Sequence, residues 1–267
     1  MICYTVLLAQ RNAATQVGRL LAELCTVMST LGKPYEVICL DDGSPREARQ
    51  ALRGLLAGYP ALRVLCLDPA GGPAAALGAG IAAARGEVVV ALEASGRYPV
   101  QEIPRLVARL NRSDAVFGYR RASGPMRFCR RLLYHPRRLF RGPDIHDPGC
   151  LLWAARLEAV RGLTLFGRRH FALAALVARR GYRVGELHVH YQPTKGRPVW
   201  PHWTGPAGLV SHWLPLGRRP VCRVTQLMGP AADGGRKTTR IDPAQPLDRR
   251  EAQAPEIPRS DQRNSTA

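Results

Sequence analysis

Short apolar runs alternate with longer segments of helical periodicity over the first 120 residues. Apolar runs rich in β-branched residues predict strands at residues 4–8, 36–40, 63–67, 88–92 and 115–119. Apolar positions at helical spacing predict helices between them, at residues 15–30, 46–57, 73–84 and 101–110. Because strands and helices alternate, we expect an α/β fold: a mostly parallel, Rossmann-like sheet with helices on both faces.

The pattern changes after residue 119. Residues 120–141 contain eight arginines and no acidic residue, and large apolar side chains lie between the arginines. This basic segment predicts either a surface for lipid phosphate or a solvated helix face. Weaker patterns predict strands at 150–154 and 184–190, a helix at 171–179 and a short interfacial helix at 209–214. Residues 229–267 are polar and proline-dotted, which predicts a disordered tail after a domain at 1–228.

Composition narrows the choice of partners. The 267 residues carry a net charge of +19, which indicates an anionic partner or reflects only the many arginines that a GC-rich genome encodes. No RNA-binding signature accompanies the arginines, so nucleic acid is not the expected partner. Seven cysteines without a CxxC pair favour a reducing, cytoplasmic setting. With no apolar run near the roughly 18 residues of a membrane span, we expect any membrane contact to be peripheral, at the inner face.

Acidic residues follow two of the predicted strands. Asp41 and Asp42 precede a turn at Gly43 and Ser44, and we call these four residues the acidic corner. Carboxylates in such a position are typical of sites that bind a base or ribose. The alternative is that Asp42 or Ser44 caps the helix that follows. Right-handed crossovers place the ends of the second and fourth strands at one edge, so Glu93 should face the same cleft.

Two further positions can carry chemistry. Glu93-Ala94-Ser95 offers only one carboxylate where a pair would hold Mg²⁺ or Mn²⁺ against a pyrophosphate. Asp147 lies in a Pro-Gly loop before a strand, where it is a general base, a group that positions the acceptor, or an Asx-turn residue. His188 and His190 alternate along a strand and are expected to be core or rim residues rather than metal ligands.

Taken together, these elements resemble family-2 glycosyltransferases of the nucleotide-diphospho-sugar transferase (GT-A) fold. Within that family they are similar to the branch of dolichol-phosphate mannosyltransferase and bacterial polyprenyl-phosphate glycosyltransferases. The resemblance covers residues 4–200, about three quarters of the chain. Its elements, in chain order, are Arg11-Asn12, residues 36–44, 71–80 and 85–89, Tyr98-Pro99, residues 103–106, Gly118-Tyr119-Arg120, residues 147–152 and 181–186, and His190 with Gly196.

The resemblance implies an inverting transfer of sugar from a nucleotide-diphosphate sugar to a polyprenyl phosphate at the cytoplasmic membrane face. Asp147 would orient or deprotonate the acceptor, and Arg97 would assist the reaction. The donor-binding residues would be Asn12, Asp41, Asp42, Gly71, Glu93 and Ser95, and the phosphate-binding residues would be Arg120, Lys195 and Arg197.

The chain departs from the family pattern at the metal motif. The family's Asp-x-Asp reads Glu93-Ala94-Ser95 here, and Arg97 stands where a glutamine can join the metal. Glu93 is therefore the one carboxylate left of that motif for Mg²⁺ or Mn²⁺. Two hypotheses follow: Arg97 replaces the metal charge on the donor pyrophosphate, or the chain is a degenerate homologue that binds nucleotide sugar or lipid phosphate without turnover.

Overall fold

The computed structural model describes residues 2–121, 145–165, 167, 169–192, 222–227 and 237–239, which fold around one nine-stranded sheet. The strand order is β7-β5-β6-β4-β1-β2-β3-β8-β9. The strands are β1 (Tyr4–Gln10), β2 (Tyr35–Asp42), β3 (Leu62–Asp68), β4 (Val88–Glu93), β5 (Ala115–Tyr119), β6 (Trp153–Arg156), β7 (Val184–His188), β8 (Arg223–Leu227) and β9 (Lys237–Thr239).

Helices connect most of the strands and cover both faces of the sheet. They are α1 (Ala14–Thr30), α2 (Arg46–Leu55), α3 (Gly72–Ala83), α4 (Glu102–Arg109), α5 (Leu157–Val160) and α6 (Leu173–Arg179), with a 3₁₀ turn at Arg169–Ala172. Side chains of α1, α2 and α4 pack on one face, and those of α3, α5 and α6 pack on the other. The expected α/β architecture with helices on both faces is therefore confirmed.

Strand β1 lies at the centre of the parallel part of the sheet. It pairs in parallel with β2 and with β4, so that Gln10 lies opposite Asp41 and Ala9 lies opposite Glu93. The carboxyl ends of β1, β2 and β4 therefore share one edge, as the crossover rule predicts. Continuous burial along β2 and β4 explains why both strands read as unbroken apolar runs.

The outer strands make the sheet mixed. Strand β6 runs antiparallel between β4 and β5, while β7 pairs in parallel with β5. The carboxyl ends of β5 and β7 consequently lie at the same edge as that of β4. The loop that leads into β6 lies there too, because β6 runs in the opposite direction. This inserted strand places the Asp147 loop at the same edge as the end of β4, where Glu93 lies.

Several sequence expectations differ from the structure in detail. The strand expected at 150–154 begins at Trp153 instead, and the helix expected at 46–57 ends at Leu55. Strand β8 was not predicted. Lys237–Thr239 pair with it, so the expectation of disorder from residue 229 is wrong for these three residues. The boundary at residue 228 remains a prediction.

Some predicted features lie outside the described residues. They include the basic segment beyond Arg121, the interfacial helix at 209–214, Lys195 and Arg197. The six cysteines within the described part of the chain are free thiols. No helix in those same ranges is long and apolar enough to cross a membrane.

Candidate active site

The acidic corner is tied to the start of α3. The Asp42 carboxylate accepts hydrogen bonds from the backbone N–H groups of Gly71, at 2.7 Å, and Gly72, at 3.0 Å. Gly43 has a positive φ of 71°, and a Cβ there would lie 2.6 Å from the Cβ of Ala70. Glycine is thus required for both the turn and the close loop contact. Asp42 holds the N-terminus of α3, not that of α2 as the capping alternative had it.

Asp41 lies at the centre of a buried hydrogen-bond network. Its carboxylate accepts hydrogen bonds from the Gln10 amide, from the Ser44 hydroxyl and from Arg49 Nε, the last at 3.0 Å. The Ser44 Oγ in turn accepts the Asn12 N–H at 2.7 Å. The network therefore fixes the loop after β1 against the loop after β2. Sequence reasoning missed Gln10, although a polar residue closing an apolar strand was a visible signal.

The Arg97 guanidinium lies between the two polar side chains of the motif at the end of β4. Arg97 Nη2 donates to Glu93 Oε1 at 2.8 Å, and its Nε donates to Ser95 Oγ at 3.4 Å. All three residues are at least 93% buried, with Arg97 the most exposed at 7%. A buried cation paired in this way satisfies a charge that would otherwise be costly to bury.

This donor set does not fit a divalent cation. Mg²⁺ and Mn²⁺ prefer several anionic oxygens, whereas here one carboxylate is already paired with a guanidinium and the other group is a hydroxyl. In the part of the chain that the structure describes, no group of three or more His, Cys, Asp or Glu side chains could hold a metal ion. Among the residues that the structure describes, Arg97 supplies positive charge at this place.

Arg120 and Asp147 form a second pair, in which Asp147 is buried and Arg120 is partly exposed. Arg120 Nε donates to Asp147 Oδ2 at 2.5 Å, and Arg120 Nη2 donates to Asp147 Oδ1 at 3.0 Å. The Arg120 N–H also donates to Oδ2, at 3.2 Å. Burial opposes the charged guanidinium, yet the hydrogen bonds and charge of Asp147 raise the pKa of Arg120 above its usual value. The structure thus joins two residues that the sequence singled out separately.

Tyr191, which the sequence analysis did not single out, contacts both arginines. Its hydroxyl accepts a hydrogen bond from Arg97 Nη1 at 2.5 Å. The guanidinium carbons of Arg97 and Arg120 lie 5.3 Å and 5.1 Å from its ring centroid, within the range of cation–π attraction. The Tyr98 ring packs against it with centroids 5.2 Å apart. Burial raises the pKa of Tyr98 well above its usual value, so its phenol stays neutral.

Three histidines lie at the rim of the sheet near the carboxyl end of β7. His190 Nδ1 lies 2.5 Å from Glu102 Oε1, and His146 Nδ1 lies 2.6 Å from Glu186 Oε2. His188 is half-buried against the Tyr119 ring, and burial together with neighbouring cations lowers its pKa. These contacts match the expectation of rim histidines.

Comparison with known proteins places the chain in a family. A sequence model of glycosyl transferase family 2 matches residues 5–173. Undecaprenyl-phosphate 4-deoxy-4-formamido-L-arabinose transferase of Shewanella sediminis is 25% identical over 185 residues, covering 67% of this chain and 56% of that protein. Dodecaprenyl-phosphate galacturonate synthase of Rhizobium johnstonii is 29% identical over 188 residues, covering 67% and 55%. The chain therefore spans about half the length of the curated relatives it matches.

Solved structures share the fold. Glucosyl-3-phosphoglycerate synthase from Mycobacterium tuberculosis, in complex with Mn²⁺, UDP and phosphoglyceric acid, has a TM-score of 0.61 and 19% identity, covering 90% of this chain and 87% of that one. The mannosyltransferase PcManGT from Pyrobaculum calidifontis has a TM-score of 0.53 and 22% identity, covering 72% and 58%. These likenesses confirm the GT-A fold. The family model, which matches more than half of the chain, shows that the chain belongs to glycosyl transferase family 2.

Proposed function

We propose that this protein transfers a sugar from a nucleotide-diphosphate sugar, with inversion, to a polyprenyl phosphate. The observation that carries the proposal is the meeting of two guanidinium groups, the buried one of Arg97 and the partly exposed one of Arg120, on the Tyr191 ring at the carboxyl edge of a family-2 sheet. We assign one guanidinium to each of the two phosphate groups that such a reaction must bring together. Both curated relatives described above are named for polyprenyl-phosphate acceptors, which supports the choice of acceptor.

We assign the base and ribose of the donor to the corner formed by Asp41 and Asp42. Both carboxylates are buried and already accept several hydrogen bonds, so a base or ribose donor would bind them by displacing one of the present donors. Asn12 and Gly71 line the same corner through the loops that these carboxylates hold in place. In this assignment, the hydrogen bonds around Asp41 and Asp42 contribute to donor binding mainly by keeping the corner rigid.

The donor pyrophosphate is assigned to Arg97. A guanidinium can pair with two phosphate oxygens at once and so stabilise the charge that develops on the leaving group. Glu93 and Ser95 hold that guanidinium in place, and we also assign Glu93 to the ribose. Lys195 and Arg197 remain proposed as additional phosphate ligands. The reaction then needs no divalent cation for charge compensation.

The acceptor end is assigned to Arg120 and Asp147. The acceptor phosphate carries negative charge near neutral pH, so it can compete with Asp147 for the Arg120 guanidinium. Since that phosphate is already anionic, orienting it towards the sugar matters more than removing a proton. Asp147, once displaced, orients the acceptor or takes up its remaining proton.

The place of action follows from the acceptor. A polyprenyl phosphate lies in a membrane, and the net charge of +19 favours association with an anionic surface. We therefore propose that the protein works as a peripheral protein at the inner face of the membrane.

Donor turnover tests this proposal directly. Purified protein should be stabilised by some member of a panel of nucleotide sugars, because bound ligand raises the unfolding temperature by mass action. The stabilising donor should then be consumed, slowly alone and faster with a short-chain polyprenyl phosphate in detergent. Arg97→Gln should abolish turnover, while the exposed Arg183→Gln serves as the control. A full panel without consumption, with and without Mn²⁺, contradicts the transferase proposal.

A second candidate is a protein that binds nucleotide sugar without turnover. The observation in its favour is that both carboxylate oxygens of Asp147 accept hydrogen bonds from the Arg120 side chain. If no acceptor displaces Asp147, the group stays occupied and no base is available. Stabilisation by a nucleotide sugar, without its consumption in the presence of acceptor, is the result that identifies this alternative.

A further inference from the structure

Tyr191 contacts both of the arginines that are proposed to bind phosphate. Its hydroxyl is bonded to Arg97, and its ring lies near both guanidinium carbons, at 5.3 Å and 5.1 Å. It follows β7, whose carboxyl end reaches the same edge as β4 and β5. The Gln192 N–H also donates to the Arg97 carbonyl at 2.9 Å, which joins the backbone after Tyr191 to the loop of Arg97.

A phosphate ligand would affect the carboxylate partners of the two arginines differently from the Tyr191 ring. Glu93 and Asp147 are anionic partners, and an incoming phosphate competes with a carboxylate for the same N–H donors. The Tyr191 ring offers its negative face without using any of those donors. The ring contact can therefore persist while the carboxylate pairs are exchanged for ligand.

We infer that Tyr191 is a positioning residue that holds Arg97 and Arg120 at a fixed spacing, so that donor pyrophosphate and acceptor phosphate are bound in register. The inference rests on the proposed function. Its hydroxyl orients Arg97 alone, whereas its ring supports both arginines. The two parts of the side chain consequently have separable effects on the donor and the acceptor.

Two variants separate those effects. Tyr191→Phe keeps the ring and removes the hydrogen bond to Arg97, and loss of a hydrogen bond to a charged group corresponds to about a tenfold weaker affinity. Binding of UDP or GDP without metal should weaken by about that factor, while affinity for a short-chain polyprenyl phosphate stays within twofold. Tyr191→Leu removes the ring as well, so both affinities should fall at least fivefold.

Tyr59→Leu is the matched control. Tyr59 is also half-buried but lies between α2 and β3, at the opposite edge of the sheet. It should leave both affinities unchanged. Each variant is first checked by thermal unfolding, and Tyr191→Phe keeps the test decisive if Tyr191→Leu does not fold.

The readouts are calorimetric affinities for each ligand, and kcat and KM for transfer. Tyr191→Phe should lower kcat or raise the donor KM and leave the acceptor KM as it is. Equal affinities in Tyr191→Leu and wild type overturn the inference, and so does an acceptor affinity that falls as far in Tyr191→Phe as in Tyr191→Leu. Wild-type binding without turnover overturns only the transferase proposal, because the affinities of the variants still decide the role of Tyr191. A wild type that binds neither ligand overturns both.

Discussion

Exchanging Arg97 for a second carboxylate should convert a metal-independent site into a metal-dependent one. The perturbation is Arg97→Gln combined with Ser95→Asp. In the wild type the guanidinium satisfies Glu93, which is only 3% exposed, at 2.8 Å. In the double variant two buried carboxylates stand side by side without that cation. Hard oxygen ligands of this kind suit Mg²⁺ or Mn²⁺.

The expected loss of stability follows from the burial of the Arg97–Glu93 pair. Removing one partner of a buried ion pair costs about 3–5 kcal/mol, and in a chain of this size each kcal/mol lowers the unfolding temperature by about 2–4 °C. We therefore expect the double variant in EDTA to unfold at least about 6 °C below the wild type. A cation at a thousand times its dissociation constant returns about 4 kcal/mol, enough to recover most of that loss.

The assay is thermal unfolding without nucleotide, in EDTA and then in Mn²⁺ or Mg²⁺. The wild type should give the same unfolding temperature in each buffer. Ser95→Asp alone keeps the guanidinium and should not respond to metal. Arg105→Gln is the matched exposed control: Arg105 pairs with Glu102 but is 48% exposed, so its loss should cost less than about 1 kcal/mol.

Two results would refute this reasoning. One is a wild type that is itself stabilised by Mn²⁺ or requires metal to bind UDP or GDP. The other is a double variant that folds and gains nothing from metal. Either result would mean that Arg97 does not provide the charge that we assign to it.

Three further predictions concern stability. Asp147→Asn should lower the free energy of unfolding in urea by about 3 kcal/mol and abolish transfer. The control Asp114→Asn, in a surface pair, should lower it by under about 1 kcal/mol and leave transfer intact. Equal losses in the two variants would contradict the difference in burial. Gly43→Ala should cost at least about 1 kcal/mol because of its positive φ and close contact, with weaker donor binding as the second readout; an unchanged unfolding midpoint would count against it. Burial acts to raise the pKa of Glu102, but hydrogen bonds from His190 outweigh burial and hold that pKa below its ordinary value of 4.5. The stability from this contact should be complete above pH 4.5 and lost as pH falls through the lower folded pKa. Glu102→Gln should therefore flatten the acid limb of a plot of unfolding free energy against pH, and an unaltered limb would contradict the assignment.

The candidate site itself could be predicted in part. The handedness of crossovers placed Glu93 at the same edge as Asp41 and Asp42, and the register of β1 with β2 and β4 confirms this. The bonding of each carboxylate could not be predicted. Asp42 holds the start of α3, while Asp41 holds Arg49, and neither contact follows from residue spacing alone.

The sequence by itself determined the alternation of strands and helices and the edge at which the polar residues collect. Local apolar periodicity reports which side of an element faces the core, and strand direction then follows from the crossovers. Only the tertiary structure decided how charges pair. Arg120 meets Asp147 across 27 residues, and Arg97 meets Tyr191 across 94, because β6 inserts between β4 and β5 and β7 pairs outside them. Contacts of this kind depend on strand order, which no local pattern encodes.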